Sequence, residues 1–162
     1  FKQIFSPQTA YQMTSILEGT IQRGTGKRLR DLNLQIAGKT GTTNNNTDTW
    51  FIGFTSNLVV GVFVGYDSPK KLGKYETGSK TALPIFKDFI KKAVNNYEAR
   101  PFKIAKGIKM MVIDAETGEK ADFGSKKTII ESYKKEKFEN QTFISNDKYK
   151  SDIYKKNILK FY

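Results

Sequence analysis

The stretch Ile36-Ala37-Gly38-Lys39-Thr40-Gly41-Thr42-Thr43 passes from apolar residues into a lysine, two glycines and a row of hydroxyl side chains. Just before it, Asn33-Leu34-Gln35-Ile36 alternates polar and apolar residues, which is typical of a half-buried β-strand. Glycines have no Cβ atom, so a bound molecule can lie close to the N–H groups of such a strand. Lys39 and the hydroxyls of Thr40 and Thr42 add donors suited to an anion. The stretch therefore predicts a strand edge that binds a carboxylate.

Lys39-Thr40-Gly41 matches one of the three motifs of the penicillin-recognising serine acyltransferases, beside Ser-x-x-Lys and Ser-Asp-Asn. The neighbouring segments follow in the order and spacing found near the end of the transpeptidase domain of class A penicillin-binding proteins, the enzymes that polymerise and cross-link peptidoglycan. From about residue 5 to residue 93 the chain resembles this family, and beyond that the resemblance rests mainly on Ile113-Asp114-Ala115-Glu116-Thr117-Gly118. The matching segments are residues 5–19, 23–26, 48–55, 60–67 and 80–86.

The resemblance implies an α/β fold of the α+β type: an antiparallel sheet flanked by helices, as part of a penicillin-binding, β-lactamase-like transpeptidase fold. In such enzymes a serine attacks a D-alanyl-D-alanine peptide, and the acyl group then passes to the amine of a neighbouring stem peptide. Stem peptides and β-lactams are the implied partners. No cofactor and no metal are expected.

The same resemblance assigns roles to the motif, position by position. Lys39 and Thr42 are the implied catalytic residues, because Lys39 keeps positive charge beside the nucleophile and the Thr42 N–H serves as an oxyanion donor. Thr40, Gly41 and Thr42 are the implied substrate-binding residues. The two hydroxyls would hold the terminal carboxylate, and Gly41 would keep the strand bare.

The nucleophile of the family should lie upstream of Lys-Thr-Gly, and no Ser-x-x-Lys stands there in this sequence. Matches begin only downstream, at Ser68, Ser132 and Ser145, in a predicted loop and tail, and a lysine-rich chain produces such matches by chance. The Ser-x-Asn motif is absent. We therefore expect a piece of a longer polypeptide that holds the Lys-Thr-Gly half of a site and is inactive alone.

Composition excludes several chemistries. The chain has no histidine and no cysteine, which removes thiolate nucleophiles, Ser-His pairs and zinc sites of the Cys/His kind. A serine activated by lysine remains the familiar nucleophile. No run of about 18 apolar residues occurs, so any membrane anchor is expected outside this stretch. By resemblance, the protein works at the outer face of the cytoplasmic membrane or in the periplasm.

The formal net charge of +12 raises a second hypothesis, a non-catalytic basic module that binds nucleic acid or an anionic cell-wall polymer. Residues 1–102 carry 14 basic and 7 acidic side chains, and residues 103–162 carry 14 and 9. Because the excess is spread along the chain, a nucleic-acid partner is not expected. Binding that weakens steeply with salt would favour the basic module, and covalent labelling by penicillin would favour the transpeptidase.

Helical periodicity predicts two helices. Ser6 is a good N-cap for the first, Pro7 suits its first position, and residues 24–26 end it. The second begins near Pro84 and should cover a sheet. The apolar stripe of the first helix is Ala10, Met13, Thr14, Leu17 and Ile21, and that of the second is Ile85, Phe86, Phe89, Ile90, Ala93 and Val94.

Two β-rich runs, residues 49–55 and 58–66, are separated by Ser56-Asn57 and predict an antiparallel hairpin. The second run is apolar on both faces, which predicts a central strand. Residues 1–100 are expected to form the transpeptidase part, and residues 101–162 a basic tail with a possible small hairpin made of residues 110–113 and a turn at residues 114–118. Since the family's partner for residues 58–66 is absent here, either residues 110–114 replace it or the exposed edge self-associates.

Overall fold

The structure is a computed structural model of the chain, and it describes residues 2–93 and 100–135. Within those residues, no helix is long and apolar enough to cross a membrane. A short 3₁₀-helix, Lys27–Leu32, follows the first α-helix. The other elements are α1 (Pro7–Gln22), β1 (Ala37–Thr42), β2 (Asp48–Phe54), β3 (Val59–Gly65), α2 (Ala82–Ala93), β4 (Ile108–Asp114) and β5 (Thr128–Lys134).

The strands form two antiparallel sheets, one in the order β1-β2-β3 and the other of β4 and β5. The predicted hairpin is confirmed, because β2 pairs with β3 and the Thr55 N–H donates to Leu58 O at 2.9 Å across the Ser56-Asn57 turn. Helices α1 and α2 both pack on this sheet. The predicted antiparallel sheet flanked by helices is therefore confirmed.

Helix α1 begins as predicted. The Ser6 hydroxyl oxygen accepts the Thr9 N–H at 3.2 Å, and Pro7 occupies the first turn. The predicted stripe is wrong in its first half, because Ala10 and Met13 are exposed and only Ile21 is buried. The helix contacts β1 of the three-stranded sheet through Thr20, and it contacts β5 through Gln12 and, just after its C-terminus, Arg23.

The core lies between the three-stranded sheet and α2. The rings of Phe51 on β2 and Phe86 on α2 meet edge to face with centroids 4.7 Å apart, and both side chains are fully buried. Phe89, which the sequence placed on the same apolar face, is 49% exposed. Helix α2 thus buries a narrower face than predicted. The fully buried members of the core are Ile21, Leu29, Ile36, Phe51, Ala82, Leu83, Phe86 and Ile90.

The prediction that β3 is a central strand covered on both faces is wrong within the described residues. Strand β3 lies at the edge of its sheet, with Val59 71% and Phe63 50% exposed. Val60, Val62 and Val64 alternate with them and pack against the core. One layer, containing α2, covers one face, and no helix or sheet in the described part of the chain covers the other.

The second sheet packs along α1. Gln12 Nε2 donates to Ser132 O at 3.0 Å, and Arg23 forms a 2.8 Å ion pair with Glu131. Strand β5 was not predicted by the sequence. Residues 110–114 pair with β5 in a separate sheet, so they do not supply a neighbour for β3. Of the two predicted alternatives this one is wrong, and self-association through the edge stays a prediction.

The predicted turn at residues 114–118 is present. The Gly118 N–H donates to Asp114 O at 2.9 Å, and the Asp114 carboxylate accepts the Glu116 N–H at 2.7 Å. The domain boundary at residue 100 stays a prediction. Val94, Ser145 and the tail beyond residue 135 lie outside the described residues.

Candidate active site

The Lys-Thr-Gly motif lies on a strand, as predicted, but the strand starts later than the alternation suggested. Asn33 adopts a left-handed backbone with φ of 53° and terminates the 3₁₀-helix. Strand β1 then begins at Ala37, directly after the buried Ile36. The whole motif is therefore inside the strand, paired along its length with β2.

Strand pleating divides the predicted site residues between two faces of the sheet. Lys39 and Gly41 lie on the face that also carries Trp50, which is 43% exposed. A Cβ atom at Gly41 would lie 3.2 Å from Trp50 Cβ, which is a tight contact. Thr40 and Thr42 lie on the opposite face. Close packing against Trp50 therefore favours a glycine at position 41. The other predicted role of Gly41, to keep the strand bare for a ligand, stays a prediction.

The even-numbered residues of β1 direct their backbone N–H and C=O groups to an open edge of the sheet. The Thr43 N–H donates to Asp48 O at 3.0 Å, so the odd-numbered residues direct their N–H and C=O groups toward β2. By the same alternation, Thr40 and Thr42 direct their backbone groups away from β2. Among the described residues no strand pairs with this edge.

Two side-chain contacts support this orientation. The Thr20 hydroxyl of α1 donates to Gly38 O, and Lys39 Nζ donates to Thr40 O at 2.9 Å. Helix α1 therefore covers the start of the edge at Gly38. The edge beyond it is available for an extended ligand to add as a further strand.

A second threonine lies beside the motif. Thr25 Oγ1 is 3.0 Å from Thr40 Oγ1, and Lys39 Nζ approaches the same Thr40 oxygen at 3.4 Å. The sequence interpretation used Thr25 as part of a helix stop signal and of a family-matching segment, and it gave the Thr25 hydroxyl no role at the site. The sequence did contain a hint of this contact, because Thr25 places a hydroxyl between two helix-breaking glycines, Gly24 and Gly26.

The Thr42 side chain is held by the loop that precedes α2. The Gly78 N–H donates to Thr42 Oγ1 at 3.1 Å, which leaves the Thr42 O–H free to donate. A Cβ atom at Gly78 would lie 2.6 Å from Gly41 O, so only glycine fits against the strand without a shift. Gly78 is thus a second residue at the site that sequence reasoning missed.

The structure brings Lys39, Thr40, Gly41 and Thr42 together, but among residues 2–93 and 100–135 it brings no serine of a Ser-x-x-Lys match to them. Ser132 is 8% exposed on β5, in the second sheet. Ser68 lies in the exposed loop after β3. Within the described residues, neither Ser-x-x-Lys match lies on the sheet that carries the motif.

Comparison with known families and proteins gives a consistent result. Residues 1–91 match the model of the penicillin binding protein transpeptidase domain. The chain is 47% identical over 139 residues to penicillin-binding protein 1A of Rickettsia conorii, which covers 84% of the chain and 17% of that protein. It is 40% identical over 136 residues to penicillin-binding protein 1A of Pseudomonas aeruginosa, covering 83% of the chain and 16% of that protein.

A solved structure is similar as well. The crystal structure of penicillin-binding protein 1A from Haemophilus influenzae superposes with a TM-score of 0.68 at 30% sequence identity, over 78% of this chain and 20% of that chain. The chain thus spans about a fifth or less of the proteins it matches. The predicted resemblance in sequence and fold is confirmed.

Proposed function

This chain belongs to the penicillin-binding protein transpeptidase family, and on that premise we propose that it forms one wall of a serine acyl-transfer site that cross-links peptidoglycan stem peptides and reacts with β-lactams. The family match favours this function over the non-catalytic basic module. The observation that carries the proposal is the open edge of β1, where the backbone groups of Thr40 and Thr42 point outward beside the Lys39 ammonium.

Substrate binding follows from this edge. An extended peptide that ends in a carboxylate pairs with the outward backbone groups of β1, and its carboxylate lies near the hydroxyls of Thr40 and Thr42. Hydrogen bonds to a charged acceptor are about twice as strong as neutral ones, which selects a free carboxyl terminus. Lys39 starts on the other face of the strand, but its ammonium reaches the open edge and adds a positive charge beside Thr40.

The chemistry is an acyl transfer. A serine oxygen bonds to the carbonyl carbon of the penultimate D-alanine while its proton passes to a lysine base, and the carbonyl oxygen becomes an oxyanion. The Thr42 N–H donates to that oxyanion, a contact whose loss typically costs about 3 kcal/mol of transition-state stabilisation. The terminal D-alanine leaves with a proton on its amine, and the amine of a second stem peptide then displaces the serine.

The serine and its lysine partner are proposed to come from a part of the protein other than these residues. Lys39 lacks a nearby serine on its own sheet within the described residues. Alone, the chain is therefore proposed to be inactive. The intact protein would act at the outer face of the cytoplasmic membrane or in the periplasm, held by an anchor outside this chain.

The test is a chimera in which this chain replaces the matching part of penicillin-binding protein 1A of Rickettsia conorii. We expect the chimera to become labelled by fluorescent penicillin, and Lys39→Ala or Thr40→Val to slow labelling by at least about a hundredfold while the chimera stays folded. Lys109→Ala, an exposed lysine on β4, is the matched control and should label normally. A folded chimera that labels equally well with Lys39→Ala would refute the proposed role of the motif.

A further inference from the structure

Thr49 on β2 is a fully buried hydroxyl residue that lies next to the site. In the register of β1 and β2 it is directly opposite Thr42. The Thr43 N–H donates to Asp48 O, so Thr42 and Thr49 form the adjacent pair that lacks cross-strand backbone hydrogen bonds. In such a pair the two side chains lie closest together on one face of the sheet. Thr49 is thus the cross-strand neighbour of a residue that the proposed function places at the substrate carboxylate.

The buried Thr49 hydroxyl needs a hydrogen-bond partner, and it has one in Thr81. Their hydroxyl oxygens lie 2.6 Å apart. Thr81 Oγ1 also donates to Thr77 O at 3.0 Å. Because a threonine hydroxyl has a single proton, and Thr81 gives its proton to Thr77 O, Thr49 must be the donor to Thr81. The two hydroxyls therefore form a directed chain that runs from β2 to the carbonyl of Thr77.

This chain ends on a peptide group that contacts the site. Thr77 O and the Gly78 N–H belong to the same trans peptide bond, in which the C=O and the N–H point in opposite directions. The C=O accepts the Lys80 N–H at 2.8 Å and the Thr81 N–H at 3.0 Å besides the Thr81 hydroxyl. The N–H donates to Thr42 Oγ1 at 3.1 Å. Whatever fixes the carbonyl of this rigid peptide also aims its N–H at Thr42.

We propose that Thr49 and Thr81 are positioning residues of the carboxylate site. Their hydroxyls fix the peptide between Thr77 and Gly78, whose N–H occupies a lone pair of Thr42 Oγ1 and leaves the Thr42 proton to the substrate. Hydrogen bonds in such a chain polarise and strengthen one another. The inference rests on the proposed function, because carboxylate binding by Thr42 belongs to that proposal.

Amide exchange in the 162-residue chain tests the hydrogen-bond chain without any acylation. Thr81→Val keeps the shape of the side chain and removes its hydroxyl, so we expect exchange at Gly78 to accelerate by up to about tenfold. Thr81→Ser keeps the hydroxyl and should restore slow exchange. The Thr43 N–H, which donates to Asp48 O, is the internal reference and should not change. Unchanged exchange at Gly78 in Thr81→Val would overturn the proposal.

The effect on the site is measured in the chimera with two labels, a fluorescent penicillin and the same penicillin esterified at its carboxyl group. The ester has no carboxylate for Thr42 to bind. Thr49→Val and Thr81→Val should each slow labelling by the acid by up to about tenfold and labelling by the ester by less than about twofold. A purely structural role would slow both labels equally, and that result would overturn the proposal.

Thr55→Val is the matched control. Thr55 is also buried, and its hydroxyl donates to Asn57 Oδ1 at 2.9 Å beyond the other end of β2. The variant should leave the acid-to-ester ratio of labelling rates unchanged, and an equal fall of this ratio in Thr55→Val would contradict the assignment.

The double variant Thr49→Val/Thr81→Val guards against a loss of folding. Replacing both partners of a hydrogen bond by apolar groups of the same shape is nearly neutral for stability. Its thermal unfolding midpoint should therefore stay close to that of the wild type, while the acid-to-ester ratio falls as in Thr81→Val. A wild-type ratio in this folded double variant would overturn the proposal.

Failure of this inference and failure of the proposed function give different results. If the wild-type chimera prefers the acid and Lys39→Ala slows labelling, but Thr81→Val keeps the wild-type ratio, only the positioning role is wrong. If the wild-type chimera reacts equally well with acid and ester, carboxylate binding by the motif is wrong, and the positioning role is overturned with it.

Discussion

The hydroxyl oxygens of Thr25 and Thr40 lie 3.0 Å apart, although one residue follows α1 and the other lies on β1. If Thr25 donates to Thr40, the Thr40 proton is free to donate to a carboxylate. The oxygen of Thr40 also accepts from Lys39 Nζ at 3.4 Å. Hydrogen bonds in such a chain polarise and strengthen one another. We therefore propose that Thr25 positions the Thr40 hydroxyl.

We predict that Thr25→Val in the chimera slows penicillin labelling by up to about tenfold, because an ordinary hydrogen bond is worth about 0.5–1.5 kcal/mol. The apparent affinity for substrate should fall more than the maximal rate, since Thr40 is proposed to hold the carboxylate. Thr25→Ser keeps the hydroxyl and should restore most of the labelling. Labelling of Thr25→Val at the wild-type rate would show that the Thr25–Thr40 contact has no part in binding.

Residues 1–162 alone should form no penicilloyl adduct. The described residues bring no serine of a Ser-x-x-Lys match to the sheet that carries Lys39. Intact-mass spectrometry after incubation with penicillin should show the unmodified chain, with the intact Rickettsia conorii relative as the positive control. A stoichiometric adduct mapped to Ser68, Ser132 or Ser145 would contradict the prediction.

Two glycine substitutions should separate close packing at the site from mere flexibility. Gly78→Ala places a Cβ atom 2.6 Å from Gly41 O, so we expect a loss of about 1–3 kcal/mol in the free energy of unfolding. Gly61→Ala meets only Ile52 Cγ1 at 3.9 Å and should change that free energy by less than about 1 kcal/mol. Urea denaturation of both variants measures the difference. Equal effects would mean that Gly78 is not packed against the strand.

Phe86→Ala and Phe89→Ala test which face of α2 packs on the sheet. Phe86 is fully buried against Phe51, so its truncation should cost about 3–5 kcal/mol of unfolding free energy. Phe89 is 49% exposed, and its truncation should cost about 1 kcal/mol or less. Denaturation curves of the two variants decide this. A larger loss of unfolding free energy for Phe89→Ala than for Phe86→Ala would mean that Phe89, and not Phe86, faces the sheet.

The edge of β3 should mediate self-association of the isolated chain, since the strand is apolar, lacks charge and has no strand partner among the described residues. The register directs the backbone groups of Gly61 and Phe63 to the open edge, because the Thr55 N–H donates to Leu58 O. We expect amide exchange at Gly61 and Phe63 to slow as the protein concentration rises.

A lysine on this edge is the control, because charged side chains prevent edge-to-edge pairing. Val59→Lys, at a position that is 71% exposed, should keep the chain monomeric in sedimentation experiments. The amides of Val60, Val62 and Val64 face β2 and should stay protected at every concentration. A wild-type chain that sediments as a monomer at high concentration, with fast exchange at Gly61 and Phe63, would contradict the prediction.

The helices and strands that carry the site could be predicted from the sequence because short-range preferences of the chain determine where they begin and turn. Helix α1 begins after Ser6, which caps it, and at Pro7, whose fixed φ suits the first helical position. Ser56-Asn57 forms the predicted turn between β2 and β3. The Lys-Thr-Gly motif identified the family, which the comparisons confirmed. Each of these signals acts within a few residues of chain, so no partner from elsewhere was needed to interpret it.

Only the tertiary structure decided which apolar residues are covered and which hydroxyls meet. Phe86 and Phe89 have the same chemistry and lie three residues apart, yet the sheet lies beneath one of them. The contact of Thr25 with Thr40 joins two separate elements, and β5 packs along α1 from more than a hundred residues away. Whether a residue is buried or paired depends on which distant segment packs against it, and the spacing of residues along the chain does not specify that segment.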